Sequence, residues 1–297
     1  CVEVGSMVGG QAALPDKPPT YTPEEVLAVK AVRRALAAWG VPKGSLGEKE
    51  MIVFTLNSKC NVEDTLNRYR SYLKGLLDEF ELNPDDIWAD DATAQEQLAE
   101  HWSLLHPAGT DREGRQVMWL SGGGSGDIEV PDRHIRACCR YFYAVHADLL
   151  TLRKGVTLVI DTTEKTLGIA RKLQAVWQKN LPLRPQNIYI IGTNPITRPL
   201  VNAFIAVASL FLKKKVISRI KHVDQRTLVN ILGPASLPPQ YGGTPRPPVD
   251  QWVRQRIADF PLMHLPEPAM GGPKPAPLSP KLPPLEPSKP PSNVMDL

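Results

Sequence analysis

An apolar run from Pro199 to Leu212 constrains what this 297-residue chain can fold into more than any other segment. Asn202 and Ser209 are its only polar residues. A helix that is apolar on every side must be buried or must contact lipid. A helix of this length spans about 21 Å, which is too short to cross a hydrocarbon core of about 30 Å. The run therefore predicts a helix that covers a hydrophobic cavity and can also contact a membrane surface.

The residues of this helix, named the gate helix, have two expected roles. Those expected to line or cover the cavity are Leu200, Phe204, Val207, Ala208, Ser209 and Phe211. The expected membrane surface follows directly and consists of Leu212, Lys213, Lys214 and Lys215. Clustered lysines attract anionic lipid headgroups. The alternative is that the three lysines form a solvated helix end, where positive charge also interacts favourably with the helix dipole.

The composition is that of a soluble globular protein, with 42% hydrophobic and 22% charged residues. The formal net charge of +4 does not require a nucleic-acid partner, and we expect none. The 4 cysteines form no paired framework, which favours reduced thiols in the cytoplasm. We therefore expect a cytoplasmic protein that is peripheral to membranes.

The residue pattern divides the chain into three regions. Residues 22–100 predict a module of three helices, whose first helix begins with a capping box of Thr22 and Glu25. Residues 101–245 alternate strand-like and helical segments, which indicates an α/β fold. Half of the chain's 30 prolines lie from Pro245 onward, so residues 246–297 predict a mostly disordered tail. One helix is expected at its start, over residues 249–260.

Strands and helices of the middle region follow from local patterns. Runs rich in apolar and β-branched residues predict strands at residues 116–120, 155–161 and 187–191. Apolar residues at helical spacing predict a single helix over about residues 131–150. In the first region, the same spacing predicts helices over residues 48–56 and from residue 61.

Six motifs occur in order between residues 22 and 245. They are residues 54–65, Asp111-x-x-Gly114-Arg115-x-Val117, Gly155-x-Thr157-x-x-Ile160-Asp161, Leu181-Pro182-Leu183-Arg184, Asn194-Pro195 with the gate helix, and Leu237-Pro238-x-x-Tyr241-Gly242-Gly243. In this order they resemble the CRAL-TRIO family of lipid-binding proteins, which includes carriers of phosphatidylinositol, tocopherol and retinal. The resemblance implies a mixed β-sheet that forms the floor of a hydrophobic pocket, flanking helices as its walls, and a preceding small helical module.

The resemblance also implies a function, and two residues differ from those of the family members that bind phosphatidylinositol. It implies a single lipid-like ligand that is transferred or presented at membranes, without enzymatic activity. Members that bind phosphatidylinositol use a glutamate before the Tyr-Pro-x-Arg motif and a lysine in the gate helix. Lys172 and Ser209 stand at those places here. We therefore expect Lys172 near the headgroup region and a ligand other than phosphatidylinositol.

Phosphate binding, metal binding and catalysis have weaker support in the sequence. The glycine loop over residues 122–126 lacks the P-loop and dinucleotide-binding fingerprints, so it is expected to be a turn. His134, Cys138, Cys139 and His146 lie in one predicted helix, but His146 is on another turn and at a different angle, so four ligands do not converge and we expect no metal. The sequence suggests no Ser-His-Asp set and no Gly-x-Ser-x-Gly motif, so we expect neither an enzyme nor a cofactor.

A different hypothesis is a non-enzymatic scaffold or adaptor that uses the same fold to bind proteins such as small GTPases. The tail contains Pro280-Lys281-Leu282-Pro283, a spacing that proline-motif-binding domains recognise. A plain tether is the alternative for the tail. A stoichiometric bound lipid would favour the carrier over the scaffold.

Overall fold

The computed structural model describes residues 20–39, 47–80, 82, 87–88, 91–100, 105–121, 135–162, 181–192, 198 and 214–263. The helices in these residues are α1 (Pro23–Ala38), α2 (Glu48–Asn57), α3 (Val62–Phe80), α4 (Asp91–Glu100), α5 (Ile135–Val145), α6 (Leu149–Lys154), α7 (Lys214–Ile217), α8 (Gln225–Leu232) and α9 (Val249–Ala258). The strands are β1 (Leu105–His106), β2 (Val117–Ser121), β3 (Val156–Asp161), β4 (Pro185–Ile191) and β5 (Ile220–His222). Two 3₁₀ turns, Pro234–Ser236 and Pro239–Tyr241, follow α8.

The start of α1 is the capping box that the sequence predicts. The backbone N–H of Glu25 donates to Thr22 Oγ1 at 3.3 Å, and the backbone N–H of Thr22 donates to Glu25 Oε2 at 2.8 Å. Each bond satisfies a donor that the first helical turn leaves without a partner. This prediction is confirmed because it depends only on residues three positions apart.

Helices α1, α2 and α3 pack against one another around aromatic side chains. Phe54, Tyr69 and Tyr72 are fully buried. The ring centroid of Phe54 lies 5.5 Å from that of Tyr69 and 5.2 Å from that of Tyr72. Aromatic pairs at such separations stabilise a core beyond their buried area. The same part of the chain also contains α4, which packs against α5 and α9.

The strands form one sheet in the order β1-β2-β3-β4-β5. β1 is antiparallel to β2, and the other neighbouring pairs are parallel. The sheet is therefore mixed, as the family resemblance implies. From β2 to β5, each strand is added beside the preceding one and always on the same side of it. Right-handed connections between strands in such an order cross the same face of a sheet.

One face of the sheet is covered by α8 and the first 3₁₀ turn, and it is named the α8 face. The cluster that fills it consists of Ala108, Val117, Trp119, Val159, Tyr189, Ile191, Leu228, Leu232 and Leu237. Helices α5 and α6, which the structure describes completely, contribute none of its members. These two helices connect β2 to β3, so this connection lies on the opposite face.

Helices α5 and α6 replace the single helix that the sequence pattern predicted over residues 131–150. Asp148 begins α6 by accepting a hydrogen bond from the backbone N–H of Thr151 at 2.7 Å. An aspartate that caps a new helix start stabilises a break without any glycine or proline. The prediction of one helix is therefore wrong, because apolar spacing alone does not reveal this cap.

Helix α9 follows the sheet region in the sequence and packs against helices of both other regions. It packs against α4 and α5, and the ring centroid of Trp252 lies 5.8 Å from that of Tyr141 in α5. Lys49 Nζ in α2 donates to the carbonyl oxygen of Ile257 at 2.6 Å. The helix expected within residues 249–260 is confirmed, and it is packed on the rest of the fold.

Candidate functional site

The sheet face opposite to α8, named the apolar face, carries two parallel rows of side chains. The pairing register of β2 to β5 sets both rows. The first row is Met118, Leu158, Ile188 and Ile220, and the second row is Leu120, Ile160, Ile190 and His222. Alternate residues of a strand point to the same face, so these side chains share one surface. Seven of the eight are hydrocarbon or thioether side chains, which makes the surface strongly apolar.

The second row retains accessible apolar surface. Met118, Leu158 and Ile188 of the first row are buried, and so is Ile190 of the second row. Leu120 and Ile160 of the second row are only half-buried, as is Ile220 at the end of the first row. The second row lies towards the carboxyl ends of the parallel strands. In open α/β sheets ligands bind at these ends. The accessible surface of Leu120 and Ile160 therefore lies at the usual ligand position of such a sheet.

His222 ends the second row and is its only polar side chain. Both ring nitrogens are shielded from solvent, and neither has a hydrogen-bond partner among the residues that the structure describes. Burial lowers the pKa of His222, and the positive charge of Arg198 lowers it further. The imidazole is therefore neutral near pH 7, with one donor nitrogen and one acceptor nitrogen.

The Asp-x-x-Gly-Arg motif holds together the strands below this surface. Asp111 Oδ2 accepts hydrogen bonds from Arg115 Nε at 2.8 Å and from Thr157 Oγ1 at 2.7 Å. Asp111 Oδ1 also accepts the backbone N–H of Arg115 at 3.0 Å. Thr157 is in β3, so the buried carboxylate of Asp111 ties the hairpin before β2 to the neighbouring strand. The motif supports the register of the sheet, on the α8 face, and does not reach the apolar face.

A second polar cluster lies on the α8 face. The distance between His106 Nε2 and Ser121 Oγ is 2.9 Å, and Asp161 is the register partner of Ser121. The sequence analysis did not bring these residues together. In a catalytic triad the histidine lies between the serine and the carboxylate. Here the serine lies between the other two, so the cluster does not have the order of a triad.

Basic side chains gather where β4 and β5 begin, and this surface is named the basic edge. Its members are Arg184, Lys214, Lys215 and Arg219. Arg184 Nη1 donates to the carbonyl oxygen of Arg153 at 2.8 Å, and Arg219 Nη1 donates to that of Pro185 at 2.6 Å. Burial lowers the pKa of Arg184, and the neighbouring charge of Arg219 lowers it further. Both arginines thus bond neutral carbonyl groups and keep their positive charge available to an anion.

Glu50 is a buried acid in the contact between the N-terminal helices and α5. Tyr143 Oη donates to Glu50 Oε1 at 2.7 Å, Tyr72 Oη donates to the same oxygen at 3.4 Å, and the Gly47 N–H donates to Oε2 at 3.2 Å. Burial raises the pKa of Glu50 to about 7 although these donors act to lower it. This cluster belongs to the interface between helices and lies away from the strands of the apolar face.

The buried thiols show no sign of reactivity. Cys138 and Cys139 are free and buried, and burial raises the pKa of Cys138 to about 12. A thiol with such a pKa is a poor nucleophile near neutral pH. Within the described residues, no three side chains of His, Cys, Asp or Glu come together as a possible metal site. None of the helices described has the length and apolar character needed to cross a bilayer.

Comparison with known families identifies the sheet region. A family model described as the CRAL/TRIO domain matches residues 104–243. Residues 104–243 are a CRAL/TRIO domain. The match spans all five strands described above and therefore the whole apolar face. The expected family and the α/β fold with a mixed sheet are confirmed. No curated protein matches the chain.

Most of the residues predicted to form the site of the CRAL/TRIO domain lie outside the described residues. They are Lys172, Leu200, Phe204, Val207, Ala208, Ser209, Phe211, Leu212 and Lys213. Lys214 and Lys215 are described, and both are exposed in α7, at the basic edge. Their contact with a membrane remains a prediction.

Sequence analysis missed β5 and with it the place of His222 in the CRAL/TRIO domain. β5 has only three residues, Ile220–His222, and its extended conformation depends on pairing with β4. The available signal was the alternation of Ile220 and His222 around the exposed Lys221. Such a short alternation is too weak without a known neighbouring strand.

Proposed function

We propose that this CRAL/TRIO domain binds one lipophilic small molecule on its apolar face and transfers or presents it at membranes. CRAL/TRIO domains bind lipophilic ligands, so the general class of ligand follows from the family. The observation that carries the proposal is the half-buried part of the second row, Leu120 and Ile160. Each CH₂ group moved from water to such a surface contributes about 0.8 kcal/mol. A ligand tail of about ten carbons could thus be held without any charged contact.

The gate helix is proposed as the cover of this ligand. Residues 199–212 lie between β4 and β5 in the sequence, and parallel neighbours of this kind are joined by a crossover over one face of a sheet. The right-handed rule favours the apolar face for that crossing. An all-apolar segment suits this position because both the sheet below and a bound lipid are apolar. Opening of the gate would then expose the ligand to a membrane.

The ligand is proposed to be a lipid other than phosphatidylinositol. Lys172 replaces the acidic residue, and Ser209 the basic residue, that the resemblance associates with inositol-lipid binding. A sterol, an isoprenoid or another phospholipid fits these departures better. The hypothesis fails if the protein exchanges phosphatidylinositol efficiently between vesicles.

The basic edge is proposed as the surface that meets anionic membranes. Lys214 and Lys215 are exposed, and Arg184 and Arg219 donate to neutral carbonyl groups. Basic residues near an anionic surface contribute about 1 kcal/mol each. This attraction would keep the domain at the surface while the ligand crosses.

The experiment that tests the proposed function compares lipid bound by the full chain with lipid bound by two variants. The purified chain and its variants are extracted, and the lipid is quantified per protein by mass spectrometry. Ile160→Glu places a charge on the apolar face and should remove most bound lipid. Leu27→Glu places the same charge on α1 at a side chain that is already 63% exposed, and it should leave the lipid unchanged.

Two results would contradict this proposal. One is a parent protein that remains empty after incubation with mixed-lipid vesicles, which would favour the scaffold hypothesis. The other is equal lipid content in the parent and in Ile160→Glu, which would show that the ligand does not occupy the apolar face.

A further inference from the structure

We propose that His222 is the polar anchor of the ligand and hydrogen-bonds a single uncharged oxygen group, the hydroxyl of a lipid alcohol. This inference rests on the proposed function, because it assigns one polar contact within the same site. It goes further by naming the chemical class of the ligand and the residue that selects it.

The position of His222 in the sheet is the first argument. The register continues the apolar row Leu120, Ile160 and Ile190 directly into His222 at the β5 end. The parallel row ends in Ile220, a side chain that packs on the same surface without a polar group. A polar side chain in one of two otherwise apolar rows gives the surface a distinct end. A ligand that lies along the second row would bring its terminal group to His222.

The missing hydrogen-bond partners are the second argument. Buried side-chain nitrogens nearly always have a partner in native proteins. Neither nitrogen of His222 has one within the described part of the chain, although both are shielded from solvent. A bound molecule that supplies the partner explains how a histidine can stand at this point of an apolar face.

The chemistry of the neutral ring selects the type of partner. A neutral imidazole offers one N–H donor and one acceptor nitrogen, and a hydroxyl group can bond to either of them. A pure hydrocarbon would leave both nitrogens without a partner. A carboxylate would have to lose its water beside Ile190 and Ile220, which is unfavourable for a full charge. Arg198 is exposed, so water screens its attraction for such an acid.

A competition experiment tests this selection directly. The delipidated full chain is incubated with phosphatidylcholine vesicles that contain equal amounts of oleyl alcohol, oleic acid and octadecene. The protein is then isolated again, and its bound lipids are quantified by mass spectrometry. These three probes share the same chain length and differ at one end. The parent should retain the alcohol about 3–10-fold over octadecene, which corresponds to one net hydrogen bond.

Two variants at neighbouring positions make the test specific. His222→Leu should lower the ratio of alcohol to octadecene to about one, while total bound lipid stays similar. His222→Asn keeps a donor and an acceptor and should retain part of the preference. Lys221→Leu is the matched control, because Lys221 lies on the same strand but points to the opposite face. It should leave the ratio unchanged.

The outcomes separate this inference from the proposed function. Equal ratios in the parent and in His222→Leu would overturn the anchor role but leave a lipid carrier. A preference of the parent for oleic acid would overturn the choice of an alcohol and point to an anion beside Arg198. Absence of any bound lipid would remove both proposals. If His222→Leu does not fold, ¹⁵N NMR of the parent decides, since oleyl alcohol should shift the His222 ring signals and octadecene should not.

Discussion

Glu50 and His146 should make the stability of this protein depend on pH in opposite directions. Burial raises the pKa of Glu50 from 4.5 to about 7. The groups that face it from α3 and α5 and from the turn before α4 are Tyr72, Tyr143, Cys139 and Trp88. Burial lowers the pKa of His146 from 6.5 to about 4, with Asp148 and Arg256 as its charged neighbours.

The sign of each effect follows from which state binds the proton. Between pH 4.5 and about 7 the folded protein keeps a proton on Glu50 that the unfolded chain releases, so stability falls as pH rises. Between pH 6.5 and about 4 the unfolded chain binds a proton at His146 that the folded protein does not, so stability falls as pH falls. Each pKa differs by about 2.5 from its ordinary value, which corresponds to about 3 kcal/mol.

The two contributions should nearly cancel between pH 4.5 and 6.5 in the parent protein. Glu50→Gln removes one of them while it keeps the size of the side chain. The amide N–H₂ group of the glutamine would face the Gly47 N–H or a tyrosine hydroxyl and lose a hydrogen bond there. The free-energy cost of this lost bond does not depend on pH. The free energy of unfolding of the variant minus that of the parent should therefore increase by about 3 kcal/mol between pH 4.5 and 7.5.

Urea unfolding of the parent and the variant at several pH values measures this difference. Taking the difference cancels the titration of all groups other than Glu50. Glu63→Gln, an exposed substitution in α3, is the matched control and should show a difference that stays constant. A constant difference for Glu50→Gln as well would refute the reasoning, since Glu50 would then have the same pKa in both states.

Three further predictions concern other parts of the fold. Arg153→Leu should lower the free energy of unfolding by about 1–3 kcal/mol, because it leaves the buried Glu25 without its bidentate partner at 2.7 Å. Urea titration should show a smaller loss of stability at pH 4 than at pH 7. Gly243→Ala should lower the melting temperature more than Gly242→Ala, since a new Cβ at 243 would overlap a backbone carbonyl oxygen. The new Cβ at 242 meets open space, and its cost is limited to the strain of a non-glycine residue at a φ of 78°; equal losses would argue against this packing. Replacing the three lysines of residues 213–215 by glutamine should slow lipid transfer to anionic vesicles at low salt and leave transfer to neutral vesicles unchanged. Equal rates of transfer to anionic vesicles by the variant and the parent would mean that the lysines form only a solvated helix end.

The parts of the fold that the sequence predicts are those with local causes. The capping box at Thr22 needs only residues three positions apart. Strand β3 is a run of β-branched and apolar residues that is buried along most of its length, which local composition already suggests. The break between α5 and α6 also has a local cause, the cap that Asp148 forms on Thr151, but the spacing of apolar residues does not reveal it. Strand β5, in contrast, depends on pairing with its neighbour β4, so its prediction requires tertiary information.

The candidate site is predictable in character but not in detail. The family motifs lead to a lipid-binding domain, and the match over residues 104–243 supports that. The polar end of the apolar face was not predictable, because it depends on the register between Ile190 and His222 across two strands. A one-residue change of register would turn His222 to the other face. The sequence alone does not fix that choice for a strand of three residues.

The packing of α9 has a practical consequence for anyone who produces the domain separately. A fragment cut to residues 104–243 would keep the five strands described but would lose Trp252 from its place against Tyr141. It would also lose the bond from Lys49 to Ile257, which lies between two segments that are both outside the fragment. Tyr141 would then present an uncovered aromatic ring to solvent and favour aggregation. We therefore expect a stably folded fragment to extend beyond the family signature at both ends, so that it includes α9, which covers Tyr141, and α2, whose Glu50 accepts a hydrogen bond from Tyr143.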